Sequence, residues 1–332
     1  MPVFFIFFAF FRKIIDFPYI LCYNFTVLSN RIVYEKCKGL YCFMDFIELL
    51  KVICLGIIEG ITEWLPISST GHMLLFDAIF PLNVSPDFME MFKVVIQLGA
   101  ILAVVVLFFK KLFPWSLEKT KQENGMKTIV KTDKNILVLW AKVIIACLPA
   151  AVMGLLLDDF LEEHLQTPLV IALTLIIYGV AFILVENANK GKTLAVQNTA
   201  ELTYKQALLI GAFQVLSLIP GTSRSGATIL GALLVGVSRP VGAEFTFYLA
   251  IPVMLGASAL KVLKFLLDGN AFIGAEIGYL LIGCIVAFAV SLIAIKFLMN
   301  FVKKHDFKVF GWYRIALGAI VIAALVIPTF FA

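Results

Sequence analysis

From residue 46 onward the chain reads as long apolar runs separated by short polar ones. The runs fall at 46–65, 69–81, 89–109, 137–157, 168–186, 206–219, 222–237, 243–266, 275–299 and 310–331. Those at 89–109, 137–157, 168–186, 243–266, 275–299 and 310–331 have the length, about 20 residues, that a helix needs to cross the bilayer hydrocarbon. The others form two broken pairs. Pro66 divides 46–65 from 69–81, and Pro220-Gly221 divides 206–219 from 222–237. Proline lacks the backbone donor and clashes with the preceding turn, so each pair is predicted as two short helices around a break. The runs are unalternated, which excludes a β-barrel. The expected fold class is an all-α polytopic membrane protein.

Composition agrees. The 332 residues are 61% hydrophobic and 15% charged, against about 45–50% and about 25% in a soluble domain. The net charge of +5 lies mostly in loops, so it speaks for topology and not for nucleic acid. Lys110, Lys111, Lys119, Lys121, Lys127, Lys131 and Lys134 mark one loop as cytoplasmic. Asp158, Asp159, Glu162 and Glu163 suit the outside, while Lys190, Lys192 and Lys205, and later Lys303, Lys304 and Lys308, return inside. Threading the spans through these constraints makes the first broken pair begin and end outside and the second begin and end inside. Two re-entrant hairpins entering from opposite faces are therefore expected.

That topology predicts an internal repeat. Gly56-Ile57-Ile58-Glu59 precedes Pro66 and a Ser/Thr cluster, and Gly211-Ala212-Phe213-Gln214 precedes Pro220 and another. Three spans follow each cluster. A broken hairpin plus three spans, twice and with opposite orientation, is an inverted-topology repeat, with one half at about 44–190 and the other at about 203–332. Residues 1–43 sit outside this plan. Phe4 to Phe11 is apolar but too short for a span, and Arg31, Lys36 and Lys38 would fall on the outer side. The native chain is expected to start at Met44, with 1–43 an upstream extension. Cys22, Cys37, Cys42, Cys54, Cys147 and Cys284 show neither a CxxC pair nor metal spacing and read as small apolar filler.

Both breaks are polar where the surroundings are not. An ionisable group at membrane depth costs roughly 2.5–3.5 kcal/mol on insertion scales, yet Glu59, Glu63 and His72 fall within one short stretch. Glu59 and Glu63, at i and i+4, share a helix face, where paired carboxylates can bind a divalent metal or hold and activate a nucleophile. Ser69 and His72, at i and i+3, are the minimum for an activated hydroxyl; alternatively the imidazole itself attacks phosphorus or protonates the leaving group. Ser68 reads equally well as a plain N-cap.

The second break, Pro220-Gly221-Thr222-Ser223-Arg224-Ser225-Gly226-Ala227-Thr228, resembles a phosphate cradle. Gly221 permits close backbone approach, the hydroxyls and the new helix N-terminus supply donors, and Arg224 offers a planar fork for phosphate oxygens. Thr228 lies on the Arg224 face. The bland alternative for Arg224 is a salt bridge to Glu59 or Glu63. Together the breaks form a phosphoryl-transfer kit set in the bilayer, suited to a lipid phosphate.

The stretches EGITEWLPISSTGHM (Glu59–Met73) and PGTSRSGATI (Pro220–Ile229), with Lys93-Val94-Val95-Ile96-Gln97-Leu98-Gly99 between them, resemble the signature motifs of the bacterial undecaprenyl-diphosphate phosphatase family, the bacitracin-resistance type. The resemblance runs from about Met44 to the C-terminus. It implies a multi-pass enzyme of the bacterial plasma membrane that removes one phosphate from the polyprenyl diphosphate lipid, giving the monophosphate carrier of wall synthesis. It also implies a divalent cation (Mg²⁺ or Ca²⁺), two re-entrant hairpins and an active site facing the outside. By motif position Glu59 and Glu63 are the acidic pair, the residues to which a metal is assigned. Ser69 is the proposed nucleophile, and His72 is its partner. Ser223, Arg224 and Thr228 contact phosphate. The expected partners are the lipid substrate and the bilayer, with no nucleic acid; a homodimer is a further expectation. A transporter of similar architecture is the competing reading, since inverted repeats with broken helices also build carriers. A carrier has less use for the acidic and nucleophile–imidazole groups.

Overall fold

A computed structural model of the chain describes residues 46–122, 125–272 and 274–330. The proposed extension 1–43, with Cys22, Cys37 and Cys42, lies outside the described residues. Two short helices come first, α1 (Phe46–Thr62) and α2 (Ser69–Ile79). Helices α3 (Pro86–Val95) and α4 (Gln97–Leu107) follow, offset at Ile96, and together make the first span. After the single turn α5 (Phe109–Leu112) comes an antiparallel hairpin, β1 (Trp115–Gln122) with β2 (Gly125–Thr132). Then come α6 (Lys134–Leu165) and α7 (Pro168–Ala188). The second broken pair is α8 (Tyr204–Val215) and α9 (Arg224–Leu234), followed by α10 (Arg239–Leu267), α11 (Gly274–Phe301) and α12 (Lys308–Val321).

Among the described residues, six helical stretches are long and apolar enough to cross a membrane: Pro86–Leu107, Lys134–Leu157, Pro168–Ala188, Arg239–Leu267, Gly274–Phe301 and Lys308–Val326. They coincide with the six predicted from the apolar runs. The chain is a multi-pass helical membrane protein. Two details differ from the sequence reading. The basic loop after the first span carries the hairpin β1–β2, and the other elements among the described residues are helices. The stretch holding Asp158, Asp159, Glu162 and Glu163, expected as a loop, continues α6.

Local chemistry explains the boundaries. Ser85 and Thr167 cap α3 and α7 and are each followed by proline at the first helical position. Thr203 and Gln206 close a capping box on α8. Helices α1, α2, α8 and α9 have 17, 11, 12 and 11 residues, each short of the roughly 20 needed to span.

Packing crosses between the halves of the chain. Helix α1 packs on α11 and α8 packs on α6. Both contacts use glycine to bring backbones together. A Cβ on Gly56 would stand 2.9 Å from the Gly283 carbonyl, and one on Gly211 would stand 2.1 Å from that of Ala146. Helices α7 and α12 pack on each other, with Gly179 and Gly311 face to face.

Charges that the sequence left unassigned have partners. Asp77 pairs with Lys93 at 3.0 Å, Lys111 with Glu244 at 2.9 Å, and Lys261 with Glu90. Glu186 is buried and accepts from Arg239 Nε and from the Phe307 N–H, each at 2.9 Å.

Candidate active site

The two breaks are built alike. Ser68 and Ser223 have φ of 72° and 68°, and no other described non-glycine residue has positive φ. Left-handed backbone is strained for a residue with a Cβ, by about 1–2 kcal/mol, and such strain collects at functional sites. Each serine is the N-cap of the helix that follows. Ser68 Oγ accepts from Gly71 N at 3.4 Å and Ser223 Oγ from Gly226 N at 3.2 Å. The plain-cap reading of Ser68 is thus what the structure shows.

The residue after each cap reaches Glu63. Ser69 Oγ donates to Glu63 Oε2 at 3.2 Å. Arg224 donates to the other oxygen of the same carboxylate, from Nη2 at 3.1 Å and Nε at 3.3 Å. Its Nη1 is fixed on the Thr246 carbonyl at 2.9 Å, and the guanidinium sits 5.9 Å from the centre of the Trp64 ring. Glu63 therefore joins the two breaks through one carboxylate. Both partners of the ion pair are nearly out of solvent, with side chains 9% and 7% exposed.

Glu59 lies one helical turn before Glu63 and is fully buried. Neither of its carboxylate oxygens has a hydrogen-bond partner among the described residues, and the charges it feels are Glu63 and Arg224. A buried carboxylate without donors is costly and calls for a positive partner. The pair Glu59–Glu63 thus has the donor chemistry of a hard-cation site. No group of three His, Cys, Asp or Glu side chains converges among the described residues, so a cation here would take its remaining oxygens from substrate and water, as Mg²⁺ commonly does.

Other predicted residues occupy different places. His72 does not pair with Ser69. Its Nδ1 meets the Ser68 carbonyl and its Nε2 the Tyr313 hydroxyl, both at 2.7 Å, and the imidazole stacks on the Tyr313 ring. Thr228 Oγ1 donates to the Arg224 carbonyl and accepts from Thr246 Oγ1, both at 2.9 Å; it braces α9 against α10. Gly221, at φ 87°, makes its close approach to α7, where a Cβ would stand 2.2 Å from Thr174 Oγ1. Ser223 Oγ also lies 3.2 Å from Ser225 Oγ.

Sequence reading missed Arg314. It is fully buried on α12 and holds both breaks, donating to the Pro66 carbonyl at 3.3 Å and to those of Gly221 and Thr222 at 2.9 and 2.6 Å. Tyr313, its neighbour, receives His72. A cation inside the last apolar run was the available signal.

The model of the family "Bacitracin resistance protein BacA" matches residues 52–320. The chain belongs to this family. A protein of Enterococcus faecalis named undecaprenyl-diphosphatase is 62% identical over 279 residues, which is 84% of this chain and 98% of that one. Proteins of the same name from Lachnoclostridium phytofermentans and Acetivibrio thermocellus are 60% and 58% identical, over 84% and 83% of this chain and 97% of each relative. The BacA match covers both breaks and all six spans except the end of the last.

Proposed function

We propose that the chain is an undecaprenyl-diphosphatase. It hydrolyses the membrane-bound polyprenyl diphosphate to the monophosphate carrier and inorganic phosphate, the reaction that underlies resistance to bacitracin and supplies cell-wall synthesis. The observation that carries this reading is the single carboxylate of Glu63, which holds a hydroxyl on one oxygen and a guanidinium on the other.

In this reading each residue has a task. Arg224 presents a fork to the terminal phosphate oxygens. As the guanidinium turns to phosphate, Glu63 is released to take the Ser69 proton. Ser69 Oγ then forms a bond to the terminal phosphorus and the bond to the bridging oxygen breaks. The leaving oxygen stays with the lipid monophosphate, and water afterwards frees the phosphate from Ser69. His72, already bonded at both nitrogens, positions the first turn of α2 through Ser68 and Tyr313. Ser223 and the free N–H groups at the start of α9 lie beside the phosphate, while Thr228 steadies the Arg224 backbone. A divalent cation, Mg²⁺ or Ca²⁺, would be held by Glu59 and Glu63 and would neutralise phosphate charge there.

We also read each broken pair as a re-entrant hairpin and the whole as an inverted repeat. Three features support this: the short helices, the matched left-handed serines, and the exchanged contacts α1–α11 and α8–α6 around the Gly179–Gly311 crossing. An active site toward the outside is supported by the lysines at the span ends. The test is phosphate release from purified protein in detergent with a polyprenyl diphosphate, with Mg²⁺ or Ca²⁺ and then with chelator. Release that needs metal and is lost in Ser69→Ala is expected. Undiminished release by Ser69→Ala would move the attack to water.

A further inference from the structure

A polar cavity lies apart from this site, at the lysine-rich end of the bundle. It encloses about 500 Å³ between the end of α4, the segment 197–199, the start of α10 and the end of α11. Lys296 and Asn300 line it from one face of α11, at i and i+4, and Lys303 from the turn just past its end. Lys111 and Glu244 also line it, but their charges are spent on each other: the ammonium lies 2.9 Å from both carboxylate oxygens, and Tyr248 donates to Glu244 as well. Lys296 and Lys303 have no ion-pair partner among the described residues. The cavity is thus left with uncompensated positive charge.

Its lining is also apolar in part, from Leu107, Val241, Ile295 and Met299. Leu107 and Phe301 are also where two of the membrane-crossing helices end, so the cavity lies at headgroup depth. Phe108 lines it and meets the Phe247 ring, which packs edge-on against Trp64 at 5.2 Å; Trp64 in turn faces Arg224. These rings stand between the cavity and the catalytic arginine.

We propose that this cavity is a binding site for a phosphate-bearing anion, and specifically for the headgroup of an anionic membrane phospholipid. Paired lysines at a helix end, uncompensated and beside apolar side chains at the membrane boundary, suit a charge attached to a hydrocarbon tail. A free phosphate shares the charge but has no use for the apolar side chains.

The full chain is purified in detergent and equilibrated with mixed micelles of phosphatidylglycerol and phosphatidylcholine, and retained lipid is counted by native mass spectrometry. The native chain should retain phosphatidylglycerol over phosphatidylcholine by roughly 10- to 30-fold, about the worth of two interfacial lysines. K296Q/K303Q should lose the preference, K296R/K303R should keep it, and both should release phosphate from polyprenyl diphosphate at the native rate, which shows them folded. Asn300→Leu, which leaves the charge unchanged, should weaken retention roughly threefold by losing one polar contact. Equal retention of the two lipids by the native chain, or an undiminished preference in K296Q/K303Q, would overturn the proposal. Thermal stabilisation by inorganic phosphate equal to that by phosphatidylglycerol, and lost in K296Q/K303Q, would overturn the lipid as its source.

Discussion

The two breaks share a backbone and divide the chemistry. With the left-handed caps superposed, Ser68 corresponds to Ser223, Ser69 to Arg224, Gly71 to Gly226, His72 to Ala227, Glu63 to Leu218 and Glu59 to Gln214. The cap geometry is the same in both. What differs is the side chain one place further on and the residues on the preceding helix. The first break carries the carboxylates and the hydroxyl; the second carries the cation. Neither alone could both bind and attack a phosphate. The residue after each cap reaches the same carboxylate, Ser69 through one oxygen of Glu63 and Arg224 through the other.

The largest effects should come from the two residues that differ at the position after the cap. Ser69→Ala should lower turnover by more than about a thousandfold if the hydroxyl attacks, as loss of a nucleophile does elsewhere, with thermal stability within a few degrees of native because Ser69 is partly exposed. Arg224→Ala should lower phosphate release by about two to three orders of magnitude. It should also destabilise the fold, by about 3–5 kcal/mol, because Glu63 is then left as an unpaired buried charge. Arg224→Ala/Glu63→Gln should recover much of that stability and none of the activity. A phosphate-release assay and a detergent melting curve, run side by side, separate the two losses. Equal activity in Arg224→Ala would place the clamp elsewhere.

Glu59 and Gln214 sharpen the comparison. Both are fully buried, and both have side-chain polar atoms without a hydrogen-bond partner. Only one is a carboxylate. Glu59→Gln gives the first break the residue of the second. Turnover should fall by about a hundredfold and the metal titration should shift to higher concentration, while Gln214→Glu should not restore either. An unchanged metal titration in Glu59→Gln would remove the carboxylate from any cation site.

Much of this was legible because membrane depth makes polar residues conspicuous. Pro66 and Pro220 announced the breaks, the apolar runs gave the six spans, and Glu59, Glu63, Ser69 and Arg224 stood out against their surroundings. Pairing was less legible. The spacing of Ser69 and His72 suggested a couple, but a positive φ at Ser68 alters the first turn, and Glu63 and Tyr313 reach the two side chains instead. No local rule foresees a left-handed serine, since serine rarely adopts that conformation. Gly221 suggested a phosphate contact, whereas the close neighbour is α7. Arg314 was passed over because its partners are carbonyls exposed by breaks more than ninety residues away in sequence, a contact that only the fold creates.

The smallest predicted effect tests the shared cap itself. A serine at positive φ both accepts the capping hydrogen bond and bears strain, and the two contributions oppose each other. Ser68→Ala and Ser223→Ala keep the strain and lose the cap, at a cost of about 1 kcal/mol each. Ser68→Gly and Ser223→Gly also lose the hydroxyl, but glycine adopts positive φ without penalty, so their net effect should be within about 0.5 kcal/mol. Alanine should therefore lower the melting temperature by roughly 2–4 °C and glycine by less, at both positions. If alanine and glycine were equal at one break, the left-handed cap there would not be a source of strain. If Ser68→Gly kept stability but lost turnover, the Ser68 hydroxyl would have a task in the reaction beyond capping α2.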